Sequence, residues 1–299
     1  MSEERWQEVR EKGSVLGILL VAAVARLLGR RAAGLLVRVV AAWYALLHPR
    51  VRGASRGYLR RLGAPARLRD VLHHVSTFAQ VTTDRLFLVR GDVGRFRFSR
   101  EGEEILVGLR DRRQGALLLL AHLGSFEVLR ALSVDRSLPV SVLGYFENAR
   151  RLNGVLRRVA PGVDARLIPI RPDDPSFVFE VEDRIRAGEM VGTMGDRVGF
   201  DGKSTAAPFL GAWARFPTGP YLLAAALRCP VYLAFGLFRA PDRYHLVCEP
   251  FAESVVLPRG PGREAALGDL AARYARRLEH HCRSYPDNWF NFYDFWSAA

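Results

Sequence analysis

The sequence predicts an α/β protein: a single sandwich with a mixed, largely parallel sheet and an N-terminal helical anchor. Three observations lead to this prediction. Short apolar runs alternate with helical segments after residue 115, a pattern typical of largely parallel sheets. The chain has 299 residues, 49% of them hydrophobic, which is enough for a substantial core. The N-terminal stretch is apolar and rich in arginine, which separates an anchor over residues 1–70 from an α/β domain over 71–299.

Five apolar runs are predicted to be buried strands, because each is too short for a helix and several are bounded by turn residues. These runs cover residues 116–121, 140–144, 190–194, 231–235 and 244–248. Four segments are predicted to be helices, since most begin at a capping residue or proline and end at glycine or proline. They cover residues 148–159, 176–187, 218–228 and 263–285.

The N-terminal region contains two uncharged runs, at 14–25 and 39–47, and neither reaches the roughly 20 apolar residues that span a bilayer. Arg26, Arg30 and Arg38 lie between these runs. Arginine side chains on such a helix can reach a phosphate layer while the apolar face lies in the membrane interface. We therefore expect a membrane-surface anchor. The alternative is a pair of helices packed on the protein's own core.

The charge is strongly positive: the formal net charge is +13, and all but two of the 44 basic residues are arginines. Eleven arginines and no acidic residue fall between Gly13 and Arg69. Such a patch attracts phosphates on lipid headgroups or nucleic acid, or an acidic protein, although a GC-rich genome also produces an arginine-rich chain. The three cysteines show no CxxC pairing, which excludes a disulfide scaffold and the usual zinc patterns.

The segment His122-Leu-Gly-Ser-Phe-Glu127 directly follows the first predicted strand. Open α/β sheets place ligand sites at the carboxyl ends of strands, so His122 stands where a reactive group is expected. Gly124 permits a tight turn, and Ser125 can cap the helix that follows. This turn would bring Glu127 towards the imidazole, where a carboxylate fixes the tautomer of a general base. A structural histidine is the alternative that the spacing leaves open.

The His-x4-acid box after a strand resembles the signature of the lysophospholipid acyltransferase superfamily. A set of five motifs in order is similar to the bacterial late acyltransferases of lipid A biosynthesis. The motifs are HLGSFE (122–127), ENARRLN (147–153), MGDR (194–197), PFLG (208–211) and FPTGP (216–220). The resemblance covers roughly residues 6–296. It implies a lysophospholipid-acyltransferase-like sandwich and a membrane-associated O-acyltransferase.

The resemblance also implies roles and substrates. His122 is expected to be the general base on the acceptor hydroxyl, with Glu127 as its orienting partner. The donor is then a thioester of acyl carrier protein or coenzyme A, the acceptor is a lipid or lipid-linked hydroxyl, and no cofactor is needed. We expect the enzyme at the cytoplasmic face of the bacterial inner membrane. The acceptor stays open between a lipid A precursor and another lipid or pigment conjugate.

Further candidates for substrate binding lie near the predicted strand ends. Arg197 can pair bidentately with an acceptor phosphate or help hold the thioester, with Asp196 orienting it. A structural pair of Asp196 and Arg197 is the alternative. The remaining candidates are Asn148, Arg150, Arg151 and Arg215. The first three lie at the start of a predicted helix, whose N-terminus suits an anion. The alternative is that these arginines are solvated on the helix surface.

Other motifs narrow the range of functions. No Gly-x-Ser-x-Gly, Walker A or Gly-x-Gly-x-x-Gly motif occurs, which disfavours a serine hydrolase and nucleotide chemistry. Adjacent histidines at 73–74 and 280–281 do not share a helix face, so no metal site is expected. Six of the nine residues 288–296 are aromatic, which suits an acyl tunnel, a membrane interface or a closed core. The functional alternatives are an inactive basic protein that binds lipid or nucleic acid, and an acyl thioesterase; for the enzyme we expect no nucleic-acid partner.

Overall fold

The computed structural model describes residues 15–135, 137–145, 167–171, 174–199 and 202–296. Over these residues an all-helical start is followed by a mixture of strands and helices. The strands are β1 (Arg97–Glu101), β2 (Ala116–Leu120), β3 (Val140–Gly144), β4 (Leu167–Pro169), β5 (Met190–Met194), β6 (Ser204–Phe209), β7 (Ala212–Pro217), β8 (Val231–Arg239) and β9 (Arg243–Ala252). The helices are α1 (Val15–Leu47), α2 (Pro49–Arg61), α3 (Leu68–Leu88), α4 (Glu103–Asp111), α5 (Phe126–Asp135), α6 (Phe177–Arg186), α7 (Gly219–Leu227) and α8 (Gly262–Ser284).

The main sheet has the strand order β1-β9-β8-β2-β5-β3-β4, and its neighbours are parallel except for β8 and β9. The predicted mixed, largely parallel sheet is therefore confirmed. β6 and β7 form a separate antiparallel hairpin. Because side chains alternate along a strand, Leu117 and Leu119 of β2 belong to one buried cluster, and Leu118 and Leu120 to another. Residues of α7 and α8 join the first cluster, and residues of α4 and α5 join the second.

The register between β2 and β5 decides which residues meet at the edge of the sheet. Leu120 of β2 pairs with Met194 of β5, and the two strands are parallel. The residues two positions beyond this pair therefore leave the sheet side by side. These residues are His122 and Asp196.

All five predicted strands are present. β8 and β9 run longer than their apolar cores because the ladder between them extends from the Arg239–Arg243 pair to the Val231–Ala252 pair. The predicted helices at 176–187, 218–228 and 263–285 correspond to α6, α7 and α8. The predicted helix at 148–159 lies outside the described residues. The sequence patterns did not indicate β1, β4, α4 or the β6–β7 hairpin. β1 carries no apolar run because each of its side chains is partly or fully exposed at the end of the sheet.

Helix α1 presents one face to the protein's interior. Ala33, Val37, Ala41 and Ala45 are buried there, and the helix packs along α3. Gly29 interrupts the helix with φ of 80° and ψ of −178°, backbone angles that suit glycine and few other residues. For this face, the alternative that the N-terminal helices pack on the protein's own core is confirmed.

The opposite face of α1 is apolar and open to solvent. Leu27 is 77% exposed, Leu35 66% and Trp43 62%. These side chains form a stripe, which we call the outer face of α1, together with Leu28, Val39, Val40, Leu46 and Leu47. Among the helices that the structure describes, none is both long and apolar enough to cross a membrane.

Arg30 points inward, which corrects the expectation that its guanidinium reaches a phosphate layer. Its Nε and Nη2 donate to the two carboxylate oxygens of Asp84 on α3 at 2.8 and 2.7 Å, and the Asp84 side chain is fully buried. Gln80 and Tyr244 donate to the same carboxylate at 2.8 and 2.9 Å. Because a buried carboxylate requires a charged or hydrogen-bonding partner, Arg30 is held in the core. The other two arginines of that expectation are exposed.

Candidate active site

His122 and Asp196 form a hydrogen-bonded pair at the carboxyl edge of the sheet. The Nδ1 atom of His122 lies 2.8 Å from Oδ1 of Asp196, and the backbone N–H of His122 donates to Oδ2 at 3.0 Å. The Asp196 side chain is fully buried, whereas 27% of the His122 side chain is exposed. The two contacts fix the imidazole with Nδ1 turned to the carboxylate.

The electrostatics of the pair favour a neutral imidazole beside an ionised carboxylate. Burial raises the pKa of Asp196, but the contacts with His122 and the charge of Arg197 outweigh burial and lower this pKa to about 2. Burial and the charge of Arg197 lower the pKa of His122 below its ordinary value, although Asp196 opposes them. At neutral pH Nδ1 therefore carries the proton that Asp196 accepts, and Nε2 keeps its lone pair. Within the described part of the chain, Nε2 has no hydrogen-bond partner.

The turn after His122 depends on glycine. Gly124 has φ of 69°, and a Cβ atom there would lie 2.1 Å from the carbonyl oxygen of Gly236. The next residue, Ser125, donates its backbone N–H to the same oxygen at 2.8 Å. Its hydroxyl is buried and has no hydrogen-bond partner among the described residues. The expectation that the Ser125 hydroxyl caps α5 is therefore wrong; its backbone carbonyl accepts the N–H of Val128 instead, at 3.3 Å.

Glu127 differs from its predicted role as the orienting partner of His122. It lies in the first turn of α5 and is buried. Its Oε1 atom accepts a hydrogen bond from Nη2 of Arg85 on α3 at 2.8 Å, within an ion pair whose side chains are 5% and 18% exposed. The carboxylate on Nδ1 of His122 belongs to Asp196. The prediction is corrected on this point, because β5 lies directly beside β2 and delivers Asp196 to the imidazole.

The aromatic C-terminal segment (residues 288–293) crosses the site. The backbone N–H of Phe290 donates to the carbonyl of His122, and the N–H of Gly124 donates to the carbonyl of Asn288, both at 2.8 Å. Between these bonds, Leu123 and Trp289 form an antiparallel bridge. Trp289 is almost fully buried. Of the three interpretations of the aromatic tail, the closed core fits Trp289 and Phe290, which are both buried, and the backbone of the same segment contacts the residues around His122.

Two side chains of the C-terminal segment bind Asp196, and the sequence motifs pointed to neither of them. Nε1 of Trp289 donates to Oδ2 of Asp196 at 3.2 Å, and Nδ2 of Asn291 donates to the same oxygen at 2.9 Å. Asn291 is buried. Its presence between aromatic residues of a predicted core was the one available signal, because a buried amide needs hydrogen-bond partners.

Arg197 is also bound by the same segment. Its Nε donates to Oδ1 of Asn291 at 2.6 Å, and its Nη2 donates to the carbonyl of Phe290 at 3.1 Å. The guanidinium carbon lies 6.0 Å from the centre of the Tyr293 ring. Asp196 was expected to orient Arg197; in the structure Asp196 binds His122, and Asn291 connects Asp196 with Arg197.

Among the described residues, the remaining predicted site residue, Arg215, is not part of this network. Asn148, Arg150 and Arg151 lie outside the described residues. Arg215 lies in β7 of the hairpin, is exposed, and donates to Ser204 Oγ at 3.4 Å. Across the parts of the chain that the structure describes, no group of three or more His, Cys, Asp or Glu side chains is arranged to hold a metal ion.

The arrangement can remove a proton from a hydroxyl group. A neutral histidine that is oriented by a buried carboxylate has the chemistry of a general base, which can activate a hydroxyl or water. A protein-family model described as bacterial lipid A biosynthesis acyltransferase matches residues 79–297. The chain therefore belongs to this family and is an acyltransferase that acts on a lipid acceptor. Among curated proteins, none matches the sequence significantly.

Proposed function

We propose that the protein is a membrane-associated O-acyltransferase in which His122 is the general base on the acceptor hydroxyl. The observation that carries the proposal is the 2.8 Å bond between Nδ1 of His122 and the buried carboxylate of Asp196. It makes Nε2 the atom that takes the proton. The donor is a fatty acyl thioester of acyl carrier protein or coenzyme A, and the acceptor is a hydroxyl of a lipid A precursor or another lipid.

The reaction needs no covalent acyl-enzyme and no cofactor. Nε2 of His122 takes the hydroxyl proton while the acceptor oxygen attacks the thioester carbonyl carbon. Asp196 stabilises the imidazolium that forms, as carboxylates do for histidine bases. The tetrahedral intermediate then collapses, the carbon–sulfur bond breaks, and the thiolate takes the proton from the imidazolium. The products are a lipid ester and a free thiol.

Two charged neighbours have supporting roles in this proposal. Arg197 supplies positive charge beside the imidazole, which suits a substrate phosphate or the oxygen that becomes negative in the intermediate. Glu127, through its ion pair with Arg85, fixes the first turn of α5 and with it the turn that carries His122. Asn148, Arg150, Arg151 and Arg215 remain candidates for binding the substrates.

The outer face of α1 supports association with a membrane surface. A continuous apolar stripe on a soluble surface marks a contact with another apolar phase, and the exposed Arg31 and Arg38 beside it suit anionic headgroups. We place the enzyme at the cytoplasmic face of the bacterial inner membrane, where both thioester donors occur. An acidic acyl carrier protein would also be attracted to a chain with a net charge of +13.

The proposal is tested with purified protein, a radiolabelled acyl thioester and total bacterial lipid. We expect label in a lipid product, and a loss of about 10²–10⁴-fold in rate for His122→Ala, which is typical when a positioned base is removed. The matched control is His73→Ala, because the His73 side chain is 63% exposed. Unchanged turnover of His122→Ala would overturn the mechanism, and label found only in free fatty acid would identify a thioesterase.

A further inference from the structure

We propose that Asn291 is a positioning residue for the His122–Asp196 pair, and that it holds Asp196 and Arg197 in one fixed arrangement. This inference rests on the proposed function of His122 as the general base. It assigns a catalytic purpose to the C-terminal segment, whose aromatic composition alone indicates only core packing.

The Asn291 amide uses both of its ends. Its NH₂ group donates to Oδ2 of Asp196 at 2.9 Å, and its carbonyl oxygen accepts from Nε of Arg197 at 2.6 Å. Only one orientation of the amide satisfies both partners, since a carboxylate accepts and a guanidinium donates. The side chain is 2% exposed, so water does not replace these bonds easily.

The bonds of Asn291 complete the surroundings of a buried charge. Oδ2 of Asp196 accepts from Asn291, from Trp289 and from the backbone of His122, whereas Oδ1 accepts from Nδ1 of His122. With Oδ2 held by three donors, the carboxylate cannot rotate, and Oδ1 stays directed at the imidazole. Loss of Asn291 would remove one of these donors and would also release Nε of Arg197.

The C-terminal segment is itself anchored on its other side. The carbonyl of Trp289 lies 2.9 Å from Nε2 of His74, and Nδ1 of His74 lies 2.9 Å from the hydroxyl of Ser55. Burial lowers the pKa of His74 to about 4, so the ring is neutral and donates from Nε2 to this carbonyl. The segment is therefore fixed between α3 and the sheet edge, which lets Asn291 act as a rigid contact.

Several titratable groups surround the pair and must be considered in any test by pH. The charges that shift the pKa of His122 are those of Arg197 and Asp196. Burial raises the pKa of Tyr293 and of Tyr274, so both phenols stay protonated over the working range. On the neighbouring helices, Glu127 of α5 is paired with Arg85 of α3.

The segment offers a matched control for Asn291. Asn288 is buried to the same degree, but its amide bonds the backbone of Phe238 in β8, donating at 3.0 Å and accepting at 2.6 Å. Substitutions at Asn288 should therefore loosen the segment without removing a bond from Asp196 or Arg197. Asn291→Leu removes both site bonds at similar volume, and Asn291→Asp places a second carboxylate against Asp196.

The experiment measures steady-state kinetics and the His122 imidazole by ¹⁵N NMR on the full chain, with His122→Gln to assign the signal. In the wild type we expect the proton on Nδ1. In Asn291→Leu we expect a mixture of tautomers and a fall in kcat of about 10- to 100-fold, the range for a lost hydrogen bond to a charged group. In Asn291→Asp the added negative charge should raise the pKa of His122 above the wild-type value.

Asn288→Leu should lower the melting temperature but leave the tautomer and the pKa of His122 as in the wild type. If Asn291→Leu does not fold, Asn291→Ser carries the same comparison, because its hydroxyl is too short to reach both partners. The inference is overturned if both Asn291 variants keep the wild-type tautomer and pKa, or if Asn288→Leu changes them equally. The NMR signal does not depend on turnover. If the wild type shows no acyl transfer but the Asn291 variants change the tautomer and pKa of His122 as expected, the proposed function is overturned and the positioning role is retained.

Discussion

The edge of the sheet at His122 and the outer face of α1 differ in how far their side chains are buried and bonded within the protein. At the sheet edge, Asp196 is fully buried and both of its oxygens accept hydrogen bonds from the chain itself. On the outer face of α1, Leu35 and Trp43 remain 66% and 62% exposed. The carboxylate at the sheet edge therefore has its hydrogen-bond partners within the protein. The outer face of α1 presents apolar surface that nothing in the described chain covers.

This difference indicates that the sheet edge is preorganised for the reaction, whereas the outer face of α1 is suited to contact with another surface. A buried carboxylate whose bonds are all made before substrate arrives does not need to reorganise during the reaction. Exposed apolar surface costs free energy in water, roughly in proportion to its area, and contact with a membrane removes that cost. Substitutions at the sheet edge should therefore change rate constants, whereas substitutions on the outer face should change where the protein is found.

The largest effect is expected for Asp196→Asn at the sheet edge. We expect kcat to fall by about 10²–10⁴-fold, the contribution of general base catalysis, because the amide neither accepts firmly from Nδ1 nor stabilises an imidazolium. The acidic limb of kcat/KM should also move to lower pH. The carboxylate that raises the pKa of His122 is lost, while burial and the charge of Arg197, which lower it, remain.

Glu127→Gln is the matched control, since it also neutralises a buried carboxylate near the turn. Glu127 pairs with Arg85, and it is not among the charges that shift the pKa of His122. We expect lower stability, a smaller loss of turnover per folded molecule and an unmoved acidic limb, with Glu127→Asp less harmful because it keeps the charge. A limb shift in Glu127→Gln as large as that of Asp196→Asn would restore Glu127 as the partner of the imidazole.

The carboxylates of Asp196 and Glu127 also show how much of the site could be predicted from the sequence alone. A short apolar run before His122 was enough to place the histidine at a strand end, because strand length and flanking residues are local properties. The identity of its carboxylate was not available locally. It depends on β5 lying beside β2 and on the register that pairs Leu120 with Met194, and neither follows from spacing within one motif.

The partners of Arg30 and Asn291 could not be predicted for the same reason. The apolar runs predicted helix at the N-terminus, yet the partner of Arg30 is Asp84, 54 residues later in the chain. The composition of the C-terminal segment predicted burial, yet the contact of Asn291 with Asp196 spans 95 residues. Helical and strand periodicity reports which face of an element is buried, but it does not report which distant element supplies the partner of a buried polar group.

A smaller effect, on stability, is expected at Arg30, the one arginine of α1 shown to be held in the core. Breaking a buried ion pair by removing one partner costs about 3–5 kcal/mol. We expect the lower end for Arg30→Met, because Gln80 and Tyr244 still donate to Asp84. Chemical denaturation of the detergent-solubilised protein measures this change. Arg31→Met is the control, since Arg31 is exposed; equal stability of the two variants would mean that the buried pair does not fasten α1 to α3.

The smallest effect per residue is expected on the outer face of α1, where it appears in membrane binding and leaves folding unchanged. Leu35→Ser and Trp43→Ser should each weaken binding to phosphatidylethanolamine–phosphatidylglycerol vesicles by about 0.8–1.5 kcal/mol, half the value for complete burial of a large apolar side chain. Flotation measures the bound fraction. Val256→Ser is the control, because Val256 is 82% exposed but lies in the loop between β9 and α8.

High salt should weaken binding of the wild type without abolishing it, since each arginine near an anionic surface adds only about 1 kcal/mol and the apolar contact persists. Complete release by salt would show a purely electrostatic contact, and unchanged flotation of both variants would show that the outer face of α1 is not the surface that meets the membrane.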